Sequence, residues 1–143
     1  MKYIFLLALL SALITGCGDS DASTGEAGTT TATAKADEIT TIQWIDSVRN
    51  YGKITEGQQL EVSFRFKNTG DKPLVIKSVQ PACGCTAAAP PDKPVLPGEE
   101  GVINATFNSQ GRVGSNSKDI TVIANTPDGG SHRLHFDVEV VKM

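Results

Sequence analysis

Across 143 residues, thirteen lysines and arginines oppose sixteen aspartates and glutamates, for a formal net charge of −3. That balance offers no electrostatic footing for a nucleic-acid backbone, and this length has room for one ordinary domain. Neither a Gly-x-Ser-x-Gly elbow nor a phosphate-cradling glycine loop occurs in the sequence, which argues against an enzyme of the common hydrolase or nucleotide-dependent kinds.

The chain opens with the three parts of a secretory signal. Lys2 supplies the positive charge, Tyr3 to Ile14 form a twelve-residue apolar run broken only by Ser11, and small Thr15 and Gly16 precede Cys17. A helix needs about 20 apolar residues to cross a bilayer, so residues 1–16 read as a removable signal rather than a retained span. Leu13-Ile14-Thr15-Gly16-Cys17 resembles the lipobox of bacterial lipoproteins. The resemblance implies cleavage before Cys17, lipid attachment (palmitate included) at that cysteine, and a membrane-anchored place in the cell envelope. Each buried CH2 of an acyl chain contributes about 0.8 kcal/mol, and more than one chain gives stable anchoring. Gly18 is not the aspartate that retains some lipoproteins in the inner membrane, so the outer membrane is expected, on its periplasmic or surface face. Asp19 and Asp21 resemble the acidic export signals of Bacteroidetes surface lipoproteins.

Residues 17–38 read as the lipidated cysteine followed by a flexible acidic linker. From Gly18 to Glu38 there are five acids, one lysine and no large apolar residue, so nothing there can form a core. A tether of this length spans about 25 Å on average and about 70 Å at most.

From residue 39 onward, eleven acids balance eleven bases and the pattern changes to period two. Ile39 to Ile45 and Tyr51 to Ile54 are weak strand candidates. Leu60, Val62, Phe64 and Phe66 alternate strictly with Glu61, Ser63, Arg65 and Lys67, the pattern of a half-buried strand. Asn68-Thr69-Gly70-Asp71 reads as a hairpin turn with Gly70 free to take positive φ. Leu74 to Val79 follows as a β-rich run behind Pro73, and Ile103, Ala105 and Phe107 alternate after Pro97-Gly98. Gly111 to Ser117 reads as a polar loop. Ile120, Val122 and Ala124 precede a turn at Pro127-Asp128-Gly129-Gly130, and Leu134, Phe136, Val138 and Val140 alternate to the C-terminus. Trp44 is expected in the core or at a sheet edge. Residues 39–143 are therefore expected to form an all-β, immunoglobulin-like antiparallel sandwich of about seven strands.

The order Phe64-Arg65-Phe66-Lys67-Asn68-Thr69-Gly70, Pro73-Leu74-Val75-Ile76, Cys83-Gly84-Cys85-Thr86, Pro97-Gly98-Glu99 resembles a bacterial envelope domain family of unknown function. It is more distantly similar to Hydin-type and major-sperm-protein-like immunoglobulin folds. The resemblance covers roughly residues 40–141. It implies the fold and an envelope setting, and no activity.

With Cys17 acylated, Cys83 and Cys85 are the remaining thiols. In an extended strand they would sit about 6.6 Å apart, against about 5.5–6 Å for a disulfide, so bridging them requires a curl at Gly84. A three-residue loop gives only about 1.6 kcal/mol in the chain-entropy model, a poor reason for a staple. Three readings stay open: small partly buried residues at a sheet end, a reducible redox pair exposed at one end of the sandwich, or a soft metal site. Two thiolates suit Cu(I) or zinc, but a structural zinc wants four ligands. His132 and His135, three apart on a strand, point to opposite faces and cannot both help.

The acids Asp71, Asp92, Glu99, Glu100, Asp119 and Asp128 are expected at turns or loops as solvated carboxylates. Asn104-Ala105-Thr106 matches a glycosylation acceptor on a predicted strand, and Asp46-Ser47-Val48 resembles the short O-glycosylation acceptor of Bacteroidetes, at Ser47. The function expected is non-enzymatic: a tethered module that binds or scaffolds another envelope protein or a glycan. The alternative is a thiol-redox or copper-handling protein using Cys83 and Cys85.

Overall fold

The computed structural model describes residues 38–142. The expected signal peptide at 1–16, the anchor at Cys17 and the linker up to residue 37 lie outside the described residues. Eight strands follow: β1 (Ile42–Trp44), β2 (Val48–Thr55), β3 (Gln59–Asn68), β4 (Ile76–Pro81), β5 (Thr86–Ala89), β6 (Glu100–Asn108), β7 (Gly114–Ala124) and β8 (Ser131–Val141). They build two four-stranded sheets, β1-β3-β6-β5 and β2-β8-β7-β4. This is the expected immunoglobulin-like sandwich. Among the described residues, no helix is long and apolar enough to cross a membrane.

The alternating residues form the core. Phe64, Phe66, Ile103 and Phe107 from one sheet meet Ile120, Val122, Leu134 and Phe136 from the other, all fully buried. Phe107 and Phe136 meet edge-on across the sheets, with ring centroids 5.8 Å apart. Each such side chain contributes about 1.5–3 kcal/mol on burial, which sets the register of every strand that carries one. Trp44 is half-buried, with its ring centroid 5.4 Å from Phe66 and 5.9 Å from His132.

One pairing departs from the antiparallel expectation: β2 lies parallel to β8. The chain switches sheets between Trp44 and Val48, so β1 pairs antiparallel with β3 and β2 continues onward beside β8. Ile45 and Asp46 N–H groups both reach the Arg65 carbonyl at the switch, and Asp46 Oδ2 takes Arg65 Nε at 2.7 Å and Arg49 at 3.3 Å. That hydrogen bond from Arg65 holds the Asp46 carboxyl below its ordinary range. Tyr51, on β2, accepts the Ser63 N–H of β3 at 3.0 Å, covering an edge group that β1 does not reach.

Three local expectations are corrected. Asn68 to Asp71 is not a hairpin turn, because β3 is flanked by β1 and β6 and the chain after it crosses to β4 in the other sheet. Gly70 does not take a left-handed φ. Its hydrogen is needed because a Cβ would collide with Thr40 Oγ1 and lie 2.7 Å from the Thr41 nitrogen. Gly114 to Ser117 belongs to β7 rather than a loop, since the polar run is carried in register by β8 from Val140 to Asp137. Glu100 and Asp119 accordingly stand on strands rather than turns. The turn at Pro127 to Gly130 is present as a single 3-10 turn, Asp128–Gly130, joining β7 to β8.

One end of the sandwich is tied by two buried asparagines. Asn68 is fully buried; its Oδ1 accepts Thr40 Oγ1–H and Gly70 N–H, and its Nδ2 donates to the carbonyls of Lys72 and Val95. Asn125 Oδ1 accepts Val75 N–H at 2.7 Å, and its Nδ2 donates to the carbonyls of Glu38 and Pro73. These side chains take the place of a hairpin in holding the crossover segments.

Candidate functional site

The Cys-Gly-Cys-Thr element fills the crossover between β4 and β5, the outermost strands of their respective sheets on one side of the sandwich. Ala82 N–H donates to the Asp119 carbonyl of β7, and the Cys85 carbonyl accepts Asn108 N–H of β6, both at 2.9 Å. Thr86 N–H closes the turn onto the Cys83 carbonyl at 3.3 Å. The curl brings the two Cα atoms to 5.2 Å, and the two sulfurs form a disulfide. Gly84 does this without a left-handed φ, and a Cβ built on it would meet nothing. The curl therefore comes from the backbone bonds on either side, not from glycine's freedom.

The pair is not uniformly exposed, as the redox reading expected. Cys85 is 6% exposed and packs in the hydrophobic core, while Cys83 is half-buried against its edge. Thr86 is itself buried, and its Oγ1 lies 3.6 Å from Cys83 Sγ and 3.9 Å from Cys85 Sγ. Among the described residues, those sulfurs are the hydrogen-bond partners of this hydroxyl. Thr86 ends the Cys-Gly-Cys-Thr motif, but nothing in its spacing announces that its hydroxyl faces both sulfurs.

A Cu(I) or zinc site would need the disulfide opened, because only thiolates ligate. Among the described residues, no group of three or more His, Cys, Asp and Glu side chains is placed to hold a metal ion. The histidines do lie on opposite faces of β8, both committed elsewhere. His132 Nε2 is 2.7 Å from Thr126 Oγ1, and burial pushes its pKa down.

His135 belongs to a second cluster, on the outer face of β7 and β8, that the sequence did not disclose. Arg133 grips Asp119 with Nε and a terminal nitrogen, and His135 Nδ1 lies 2.8 Å from Asp119 Oδ1. His135 Nε2 lies 3.2 Å from Ser117 Oγ and 3.3 Å from Asp137 Oδ1. The Arg133 hydrogen bonds, then that of His135, lower the Asp119 carboxyl to about 2. The hydrogen bond to Asp119 is the largest cause raising His135 above its usual value, with Asp137 adding to it. Ser117, His135 and Asp119 thus have the connectivity of a nucleophile, base and orienting acid. The two carboxylates favour the cationic form of His135, which in that form would donate from both nitrogens and could not take a proton from Ser117.

Beside it, strands β2, β7 and β8 form a shallow depression of about 470 Å³ lined by Asn50, Lys53, Asn116, Ser117, Asp137 and Glu139 among others. Its floor bends where β2 bulges between Asn50 and Lys53. The two candidate glycosylation acceptors fall in different settings: Ser47 is half-buried at the sheet switch, and Asn104 is exposed in mid-β6.

A family model described as "Protein of unknown function (DUF1573)" matches residues 42–140. No curated protein matches the chain. Among solved structures, a protein of unknown function from Porphyromonas gingivalis W83 is similar at TM-score 0.61 and 18% identity, over 77% of this chain and 51% of that one. This chain thus spans about half the length of that relative. The PapD-like domain 7 of human CEP192 is similar at TM-score 0.55 and 12% identity, over 73% and 88%. The YadV chaperone is similar at TM-score 0.52 and 17% identity, over 69% and 51%. At these identities the likeness is one of fold.

Proposed function

This chain belongs to the DUF1573 family of proteins of unknown function, and on that premise we propose that it works as a lipid-anchored envelope module that binds or scaffolds, rather than as an enzyme. Acylated Cys17 holds it to the outer membrane, and the linker lets the domain reach a partner within about 70 Å of the bilayer. The partner is another envelope protein or a glycan. The observation that supports this reading is the depression on the outer face of β2, β7 and β8. Three strands there point amide, hydroxyl, carboxylate and ammonium groups into one concavity. Each named group is partnered within the chain (Asn50 with Gly52 N–H, Lys53 with Glu139, Asn116 with the Arg112 and Gly114 carbonyls, Ser117 and Asp137 with His135) and keeps further hydrogen-bonding capacity for a polar partner.

Site-directed photo-crosslinking in intact cells tests it. A crosslinking residue at Ser115, on the rim of the depression, should capture one dominant partner. The same residue at Glu61, on the outer face of the opposite sheet, should not. Equal capture at both positions, or none at Ser115, would overturn the assignment. Digestion of the captured species by protease or by glycosidases then separates a protein partner from a glycan. Cys17→Ala should abolish palmitate incorporation and release the chain from the membrane fraction; retention in that fraction without label would sink the anchor.

A further inference from the structure

We propose that Cys83-Gly84-Cys85-Thr86 is a thiol–disulfide exchange site, in which Cys83 is the sulfur attacked, Cys85 the sulfur displaced, and Thr86 the donor that receives the displaced thiolate. The inference is independent of the binding surface on β2, β7 and β8.

The first support is that the bridge is dispensable to the frame around it. The crossover is fixed by the Ala82 to Asp119, Asn108 to Cys85 and Thr86 to Cys83 backbone bonds. None of these involves sulfur. Cys85 stays in the core as a small apolar residue whether or not it is bridged. Oxidised and reduced states can therefore share one backbone.

The second support is asymmetry. An incoming thiolate must reach a sulfur from outside along the line of the S–S bond. Cys85 is closed off by the core, while Cys83 is half-buried at the edge of β4 and β5. Attack on Cys83 is thus the accessible route, and it expels Cys85 toward the interior. A thiolate released there loses solvation and would be a poor leaving group unless a hydrogen bond met it. The buried Thr86 hydroxyl faces both sulfurs, 3.6 Å from Cys83 Sγ and 3.9 Å from Cys85 Sγ, so it is within reach of the Cys85 thiolate once the bridge opens.

The step balances with an envelope dithiol protein as reductant. Its first thiolate bonds to Cys83 Sγ as the Cys83–Cys85 bond breaks, leaving Cys85 as thiolate. Its second thiolate then attacks its own mixed-disulfide sulfur and frees Cys83. The dithiol is oxidised by two electrons, and its two protons end on Cys83 and Cys85. The reverse sequence reoxidises the pair and reduces a partner disulfide.

The test uses the full chain purified in detergent, with dithiothreitol as the probe dithiol. Reduction should proceed to completion without denaturant. In the reduced chain, iodoacetamide should label Cys83 at least about tenfold faster than Cys85, because rate follows thiolate access. Thr86→Val should slow reduction about tenfold, the size of one hydrogen bond to a charged group. Thr86→Ser should restore the rate to within about twofold, since it keeps the hydroxyl. A thermal melt of each variant checks the fold. Equal labelling of the two cysteines in the wild-type chain would overturn the assignment of roles without needing any variant. An unchanged reduction rate in a folded Thr86→Val chain would remove Thr86 from the step, and resistance to dithiothreitol would dismiss exchange altogether.

Discussion

The sandwich is closed in two different ways. At the end where β3 leaves for β4, Asn68 and Asn125 place their side-chain amides among crossover backbone groups and satisfy seven hydrogen bonds between them. At the β4–β5 corner the chain is closed by a covalent bond instead, between residues only two apart. Covalent strength is not the relevant measure. The asparagines join segments up to 87 residues apart and pair part-buried polar groups such as the Val75 N–H and the Pro73 carbonyl. The disulfide removes little freedom from the unfolded chain. The weaker bonds are thus the structural closure, and the stronger one is free for chemistry.

The largest effect should follow from breaking the amide end. Asn125→Ala would strand the part-buried Val75 N–H and Pro73 carbonyl, while the carbonyl of exposed Glu38 can turn to water, and each group left unsatisfied costs about 1–3 kcal/mol. The expected loss is about 3 kcal/mol or more, read as a lower urea midpoint at constant slope. At the other corner, replacing both Cys83 and Cys85 by serine should cost no more than about 2 kcal/mol, slightly above the chain-entropy value because Cys85 is in the core. Gly84→Ala should be close to neutral and should leave the disulfide formed, as a free-thiol assay reads. The comparison is reversed if the double serine variant loses more stability than Asn125→Ala.

Much of this architecture was legible in the sequence, and the exceptions share a cause. Strands β3, β6 and β8 and the second half of β7 announce themselves by alternation, because each buries one face. β5 does not, since Thr86 to Ala89 carries no large apolar residue and is a strand only because β6 lies beside it. Gly114 to Ser117 reads as a loop for the same reason, with β8 supplying the order that its own residues lack. Asn68 and Gly70 read as a turn because their local chemistry is that of a turn. What local chemistry omits is the destination of the chain, here the opposite sheet. At the candidate site the spacing says only that a bridge would require a curl at Cys-Gly-Cys, while the curl itself comes from backbone bonds to β6 and β7. The unequal burial of the two cysteines and the Thr86 hydroxyl between them depend on which side of the turn the core lies. The Asp119, Arg133 and His135 cluster was hidden because β7 and β8 bring it together across a ladder.

That cluster supplies the smallest expected effect and a control on both closures, because it involves neither an asparagine nor a cysteine. His135 is raised by Asp119, so its contribution is fully present below its unfolded value near 6.5 and is lost as pH rises through the raised folded value. Asp119 is lowered to about 2, so its contribution is present above its ordinary value of 3.8 and is lost as pH falls from there toward about 2. Each limb should be worth less than about 1 kcal/mol, as for part-exposed ion pairs. Arg133 heads the causes at Asp119, and His135 comes second. His135→Gln should therefore flatten the alkaline limb and leave most of the acid limb, whereas Arg133→Gln should reduce the acid limb and spare the alkaline one. Urea midpoints measured from pH 3 to pH 9 separate the two. If His135→Gln leaves the alkaline slope unchanged, His135 is not held cationic by Asp119, and Ser117 would then face a neutral imidazole able to accept its proton.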